Sequence, residues 1–520
     1  MCYRLRGGHA RARINIRSTV SPVGAVARYS GVPGVPGADE YDRARRALPV
    51  RRSVVRQRDE ALRLPRVRST GLTAVEGSRG LPCSSPSGPR GHSVRGLHGS
   101  VRHPLMRAAH AKLSNDAPAP ALGTYSAGFE PIAKRFALHL RNGAEVGAGL
   151  CVFHRGKCVL DLWGGLADLE ARRPWVDDTR IVVFSVTKGL AAMALNMLAD
   201  RGQLDWDKPV ATYWPAFAAA GKERVTVRTL CNHRAGLLAL DAPITIDDCL
   251  RSDRADVVRG AIEEQLPAWE PGSRQGYHAL TFGLYASELF RSIAGESIGT
   301  FLQRELFEPL GSDARLGTPD SEDSRVARLY TPAAHERVFG LARDALRGGS
   351  TETRVVRALL PKRSLIRRAF GNPRGGGIAE YNEVPVRRAE LAWASATASA
   401  RGLARAYLPF ASAGRFEGRE YLRASTLEPV YARQSWSECD SVLQKPIGWS
   451  QGFVKEGAHV FSPNPEAFGH PGIGGALGWC DPTREIALGY VMNRMSWRVR
   501  SPRAIALCRA LYDCEPLRAS

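Results

Sequence analysis

From residue 147 onward the chain alternates between short apolar runs bounded by glycine and longer stretches of helical spacing. Residues 147–154 and 157–163, rich in Leu, Val, Phe and Cys, flank Arg155-Gly156 and predict the two strands of a hairpin. Residues 164–168 (Gly-Gly-Leu-Ala-Asp) predict a turn out of it. Ile181-Val182-Val183-Phe184 is a second short run. After it Leu190, Met193, Ala194, Met197 and Leu198 recur at helical spacing until Arg201-Gly202 supplies a stop. Trp269 to Gly272 signals a turn, and Leu284, Leu289 and Ile293 mark a helix ending at Gly295. Residues 387–413 are helical in pattern, 485–493 form a strong strand, and 502–512 a closing helix. Residues 340–375 are basic and irregular and read as a lid or a surface insert. Strands at both ends with helices between predict an α/β domain whose sheet is completed by the C-terminus, with a helical region inserted.

Composition changes this picture mainly at the amino terminus. The net charge is +22, but residues 1–105 hold twenty arginines, no lysine and six acidic residues, leaving only +8 for the rest. That stretch is rich in Gly, Pro, Ser and Arg and has too little apolar sequence to offset the entropy of ordering. A basic, disordered extension over 1–119 and one folded domain over 120–517 are therefore expected. Three accounts of the extension are open: a disordered arm, an organellar transit peptide, or translated upstream sequence with the true start at Met106. Sixty-four arginines against nine lysines mark a GC-rich coding sequence and favour the third.

No apolar h-region follows the start, and no stretch is long enough to span a membrane. The ten cysteines form no C-x-x-C pair and no Cys/His cluster of zinc spacing. Reduced thiols, a cytoplasmic setting and the absence of metal or cofactor are expected, with organellar targeting left open. Cys151 and Cys158 flank the hairpin turn, but a two-residue loop sets Cys158 opposite Phe153. Because the basic excess lies before residue 106, nucleic acid is not an expected partner of the folded part. Nothing fixes the oligomeric state.

The candidate chemistry starts at Ser185 and Lys188, at the mouth of the long apolar helix. Three residues apart on a helix, they share one face. The first turn adds free N–H groups and the positive end of the helix dipole. Of the nine lysines, Lys188 alone has a serine three residues before it. The plainer account is an N-capping serine followed by a helix lysine. His233, in Asn232 to Leu237, reads as structural, pinning a glycine-terminated turn. Gly295-Glu296-Ser297-Ile298-Gly299 fits the G-x-S-x-G elbow, yet a helix precedes it where a strand is required, so Ser297 reads as a cap for a helix over 301–307. Tyr277 sits in a turn from which a phenol reaches a cleft, and two nearby cations would lower its pKa. His470-Pro471-Gly472 opens a glycine-dense strand on which a substrate can lie against the backbone.

Ser185-Val186-Thr187-Lys188, Tyr277-His278-Ala279 and His470-Pro471-Gly472-Ile473-Gly474-Gly475 resemble, in order and spacing, the motifs of the serine β-lactamase/penicillin-binding-protein superfamily. They look most like its class C β-lactamase-related branch, which includes the family VIII carboxylesterases. The resemblance spans roughly residues 120–515. It implies a β-lactamase/transpeptidase-like fold, an antiparallel sheet flanked by helices with an inserted, mostly helical region. It also implies Ser185 as acylated nucleophile, Lys188 as its helper, Tyr277 as base and then acid, and the N–H groups of Ser185 and Ile473 as an oxyanion hole. His470, with Gly472 beside it in substrate binding, stands where class C β-lactamases carry the lysine of K-T-G. Ala279 replaces the asparagine of Y-x-N. Both departures remove groups that hold a β-lactam, whereas ester cleavage needs neither. The expectation is a metal-free serine hydrolase acting on small or medium carboxylic esters through an acyl-enzyme. A weak β-lactamase, a D-aminopeptidase or a transacylase on ester or amide substrates is the alternative, and a non-catalytic binding protein the remote one.

Overall fold

The computed structural model describes residues 121–346 and 349–518. The extension expected over 1–119, and Met106 within it, lie outside the described residues. Strand β1 (Leu122–Tyr125) and helix α1 (Glu130–Arg141) lead into the predicted hairpin, β2 (Gly147–His154) and β3 (Lys157–Asp168). Apart from Arg173–Pro174, which pairs with the end of β3, the other strands of this sheet come from the far end of the chain: β4 (Ser435–Ser437), β5 (Ile447–Ser450), β6 (Phe453–Lys455), β7 (Phe468–Pro471), β8 (Leu477–Asp481) and β9 (Ile486–Met492). Their spatial order is β1-β3-β2-β9-β8-β7-β6-β5-β4, antiparallel at every step. The C-terminal β9 thus pairs with β2, as the sequence pattern implied.

Strands β2, β8 and β9 are buried at every position, which requires cover on both faces of the sheet. Between the two groups of strands lie α2 (Val186–Asp200), α3 (Thr281–Ala294), α4 (Ala334–Leu346), α5 (Thr351–Leu359), α6 (Leu365–Gly371) and α7 (Ala400–Ala411), with α8 (Pro502–Tyr512) closing the chain. Helix α7 packs on β2, β8 and β9, while α1 packs on α8 and on β2 and β3. Helix α2 is buried from Val186 to Leu198 without a polar face, so it runs through the core. Among the described residues no helix is long and apolar enough to cross a membrane.

Three expectations are corrected. Residues 164–168 continue β3, because Gly164 and Gly165 pair with Ala148 and Gly147, and Leu166 pairs with Pro174. Ladder partners on both sides outweigh the poor strand propensity of glycine. Residues 340–375 are largely helical, forming the end of α4, then α5 and α6; Ser350 and Ser364 cap the last two by accepting from the N–H of Thr353 and Arg367. The third concerns 387–413. A short helix, Val384–Arg388, stops, and α7 restarts only after Ser399 caps it through the N–H of Gly402. In between, Ser395 Oγ accepts from the Leu391 N–H and donates to the Ala389 carbonyl, and Thr397–Ala398 pairs with Ile181–Val182. Ser297 does cap, for Ile298–Leu302, and Gly295 ends α3 in the left-handed region.

Arg180, immediately before the Ile181–Val182 strand, is a buried cation. Its Nε donates to Asp313 Oδ1 at 2.7 Å and its guanidinium also reaches Glu322, while its main chain bonds Arg325 and Ala327. Its side chain is 1% exposed, against about a quarter for the two carboxylates. Removing Arg180 leaves Asp313 with Arg325 alone and Glu322 with Arg315 alone. Arg180→Leu is expected to destabilise the fold by about 3 kcal/mol in denaturant unfolding, the low end of the range for buried pairs because both carboxylates keep some solvent.

Candidate active site

The turn before α2 is shaped by Phe184, which takes φ +47°. For a bulky residue this left-handed conformation costs about 1–3 kcal/mol and persists only where surroundings hold it. Here the ring is buried and set edge-on to Tyr381 at 5.1 Å, and the Phe184 carbonyl accepts from the Thr187 N–H. Ser185 then occupies the N-cap position but makes no side-chain cap. Its hydroxyl lies instead 3.2 Å from Lys188 Nζ and 3.0 Å from the Tyr277 hydroxyl, which donates to it. The capping account of this serine fails on that geometry.

Lys188 is 1% exposed, and its other partner is the Trp393 carbonyl at 2.9 Å. Burial without a carboxylate holds its pKa well below the usual lysine value. The interruption at 389–399 is what delivers that carbonyl. The Ala396 carbonyl accepts from the Val183 N–H, and Thr187 Oγ1 accepts from the Ala396 N–H, tying the segment to the Ser185 turn.

Tyr277 is placed by residues far away in the chain. Its N–H donates to Asp440 Oδ1 at 3.1 Å, and its ring stacks on Trp449 at 5.7 Å. His233, at φ +59°, accepts the His278 N–H on Nδ1 at 3.0 Å and the Gly276 N–H on its carbonyl, clamping the turn from below. It is structural, as expected. The expected lowering of the Tyr277 pKa is overturned: burial pushes the phenol up, above its usual range. One lysine faces its ring, at 5.1 Å. His470, on β7, has its pKa taken down to about 3 by burial, with Lys188 nearby. Its Nδ1 is 2.8 Å from the Pro471 carbonyl and so carries the hydrogen, leaving Nε2 as a buried lone pair without a partner.

Gly472 follows β7 and presses on the strand before Ser185; a Cβ there would collide with the Val183 carbonyl. This approach brings Ile473 to the serine. Among the described residues neither the Ser185 N–H nor the Ile473 N–H has an acceptor within the fold. Two apolar lobes meet at Ser185 and Ile473. The larger, about 310 Å³, includes Trp449 and His470 from the sheet and Val355, Ile366 and Phe370 from α5 and α6. The smaller, about 170 Å³, includes Ala279, Leu280, Tyr381 and Trp393. The segment read as irregular therefore roofs the site. A wider cleft of about 710 Å³ between α4 and residues 494–503 touches none of these groups, and its Arg494, Arg498 and Arg503 are bound to Glu336, Asp344 and Glu145.

The Beta-lactamase family model matches residues 132–510. The chain belongs to that family. Esterase/beta-lactamase LipL of Mycobacterium tuberculosis (strain ATCC 25618 / H37Rv) is 33% identical over 394 residues, covering 75% of this chain and 86% of that relative. The crystal structure of a family VIII carboxylesterase superposes with a TM-score of 0.66 at 32% identity, over 76% of this chain and 99% of that one. A penicillin-binding protein homolog from Caulobacter crescentus gives the same TM-score, identity and coverage. The fold is thus the β-lactamase/transpeptidase fold.

For this family member, the support of Tyr277 was invisible along the sequence. Asp440 lies 163 residues away and carries no motif; its Oδ1 also accepts from Val442 and Leu443. The one available signal, Asp followed by Ser441 in a turn, is common. A partly exposed cluster also appears on the hairpin: Cys151, Cys158 and Asp161 have donor atoms within 4.8 Å of one another, the thiols 3.9 Å apart. Phe153 does oppose Cys158, but a register shift at Val152/Phe153 lets the sulfurs approach. Asp161 is bound to Arg401. Asp440→Ala is expected to lower ester turnover by roughly tenfold or more with little change in KM, whereas Asp440→Asn, which keeps an acceptor for the Tyr277 N–H, recovers most of it.

Proposed function

We propose that this chain, a serine hydrolase of the beta-lactamase family, is a carboxylesterase that cleaves small or medium apolar esters through an acyl-enzyme on Ser185. The observation that carries the reading is the placement of Ser185 Oγ between a lysine whose pKa burial depresses and a phenol that donates to it. The ester carbonyl sits against the free N–H groups of Ser185 and Ile473, which meet the oxyanion as it forms. As Oγ attacks, its proton passes to the Lys188 amine. Tyr277 gives its own proton to the departing alkoxide, so the alcohol leaves neutral and a phenolate remains beside the lysine ammonium. Water then attacks the acyl carbonyl and gives a proton to the phenolate. The returning Ser185 oxygen takes its proton from Lys188, which restores every group.

Two apolar lobes meeting at the serine suit a substrate with one apolar group on each side of the carbonyl. The same lobes disfavour a β-lactam, which brings a carboxylate. His470 stands neutral where a cation is needed, and Lys445 in the larger lobe is already bound to Glu456 at 2.6 Å, a carboxylate it shares with Arg500. Of the arginines on that lobe, Arg498 is bound to Asp344 and Arg337 stands exposed at the rim, so a β-lactam carboxylate held at the position of His470 forfeits about 1.5–3 kcal/mol.

Ser185→Ala, Lys188→Ala and Tyr277→Phe are each expected to lower turnover of a short-chain nitrophenyl ester by about a hundredfold or more, with no acyl adduct by intact mass in the serine variant. A chromogenic cephalosporin should be cleaved at least about tenfold less efficiently than the ester; comparable efficiency would overturn the esterase reading. The sign of the pH dependence follows from Lys188. Its pKa is depressed and the neutral amine is the working form, so kcat/KM holds above that pKa and falls as pH drops through it, well below the usual lysine range.

A further inference from the structure

Helix α4 is amphipathic, and it is turned inside out. Glu336, Gly340 and Asp344, spaced four apart, face the protein. Glu336 and Asp344 pair with Arg494 and Arg498, and a Cβ on Gly340 would collide with the Trp497 ring. Val338, Ala342 and Leu346, on the opposite face, look into solvent together with Phe339; Val338, Phe339 and Leu346 are 64%, 73% and 90% exposed. The neighbouring helices repeat the theme, with Leu360 after α5 at 72% and Phe370 on α6 half exposed. A water-facing helix normally presents its charges outward, so this stripe lacks a partner.

Charge says what kind of partner fits. Residues 334–374 hold ten arginines and lysines against three carboxylates, a net +7 out of the +8 carried by everything after residue 105. All three carboxylates, Glu336, Asp344 and Glu352, are turned onto Arg494 and Arg498. The exposed Arg357, Lys362, Arg363 and Arg374 have no carboxylate partner among the described residues. Apolar side chains interleaved with uncompensated cations fit a surface with anionic headgroups over an apolar interior. A nucleic acid would leave Phe339 and Leu346 in water. The placement also makes sense of the site: Phe370 lines both lobes while standing half in solvent, and Ile473 beside the serine is 46% exposed.

We propose that the α4–α6 roof is a docking surface for anionic lipid, which seats the mouth of the active site on a bilayer or lipid particle. The reading does not depend on esterase activity, because docking is measured by itself. The full-length protein is sedimented with phosphatidylcholine vesicles with and without phosphatidylglycerol, at physiological salt. The wild type is compared with the V338S/F339S/L346S variant and with the R357E/R363E variant. Wild type should partition onto the anionic vesicles. The serine variant should lose at least about tenfold in partition, and the glutamate variant should lose the preference for anionic lipid. Both variants should keep the wild-type circular dichroism spectrum and thermal midpoint, which certifies their folding and keeps this test apart from that of the esterase reading. The basic residues before 106 are common to all three proteins. Partition of the serine variant within twofold of wild type would assign binding to them and overturn the proposal. So would an absence of wild-type binding, equal binding to both kinds of vesicle, or a wild-type dimer that the serine variant dissolves.

Discussion

The site rests on one lysine being taken out of water with no acid to accompany it. An ammonium in that position would lose most of its hydration and recover only a carbonyl, a hydroxyl and the face of a phenol, so the amine is favoured. A carboxylate beside Lys188 would have repaired the burial and removed the base. The rest of the neighbourhood follows the same logic. Helix α2 is apolar all round because it carries this residue through the core, and the break at 389–399 exists where the Trp393 carbonyl has to arrive. Burial acts in the same sense on Tyr277 and His470, disfavouring the charged form of each. In the proposed reaction such a cavity meets charge only as it is made, and there the peptide N–H groups and the proton exchanges between serine, lysine and tyrosine would take it up.

Much of this was readable in the residues. The hairpin around Arg155-Gly156, the closing strand and helix, and the Ser185/Lys188 pair carry local signals: a turn pair, an apolar period, a spacing of three; Tyr277 and His470 joined that pair through the family resemblance. What was missed lies where local preference gives way to distant partners. Gly164 and Gly165 look like a turn until β2 pairs with them, and residues 389–399 look helical until the Ser185 turn claims their backbone. Asp440 and Arg180 act through one buried carboxylate and one buried guanidinium, and neither has a pattern around it. The sign of the Tyr277 shift was misjudged because counting cations in a sequence says nothing of how dry they are.

The roof is the other place where sequence misled. Its helices hide from a search for a buried stripe because the apolar side of α4 faces out and the carboxylates face in. It also explains where the charge of the folded part sits. The rest of the sequence after residue 105 is close to electroneutral, and nearly the whole excess falls within residues 334–374, the stretch that carries the roof helices. A site whose working groups are buried is thereby covered by a cationic, greasy surface, and the proposed chemistry and the proposed docking divide between separate layers.

Finally, β9 occupies the middle of the sheet although it is the last strand of that sheet to be synthesised, and it joins β2 to β8. Until residue 492 has left the ribosome, the N-terminal hairpin and the C-terminal strands are two fragments with open edges. Neither can close on the other, and both expose ladder groups that could pair with a neighbouring nascent chain. The molecule therefore has to be finished before it can be assembled, and a stop codon only a few dozen residues early would cost the whole sheet rather than its margin.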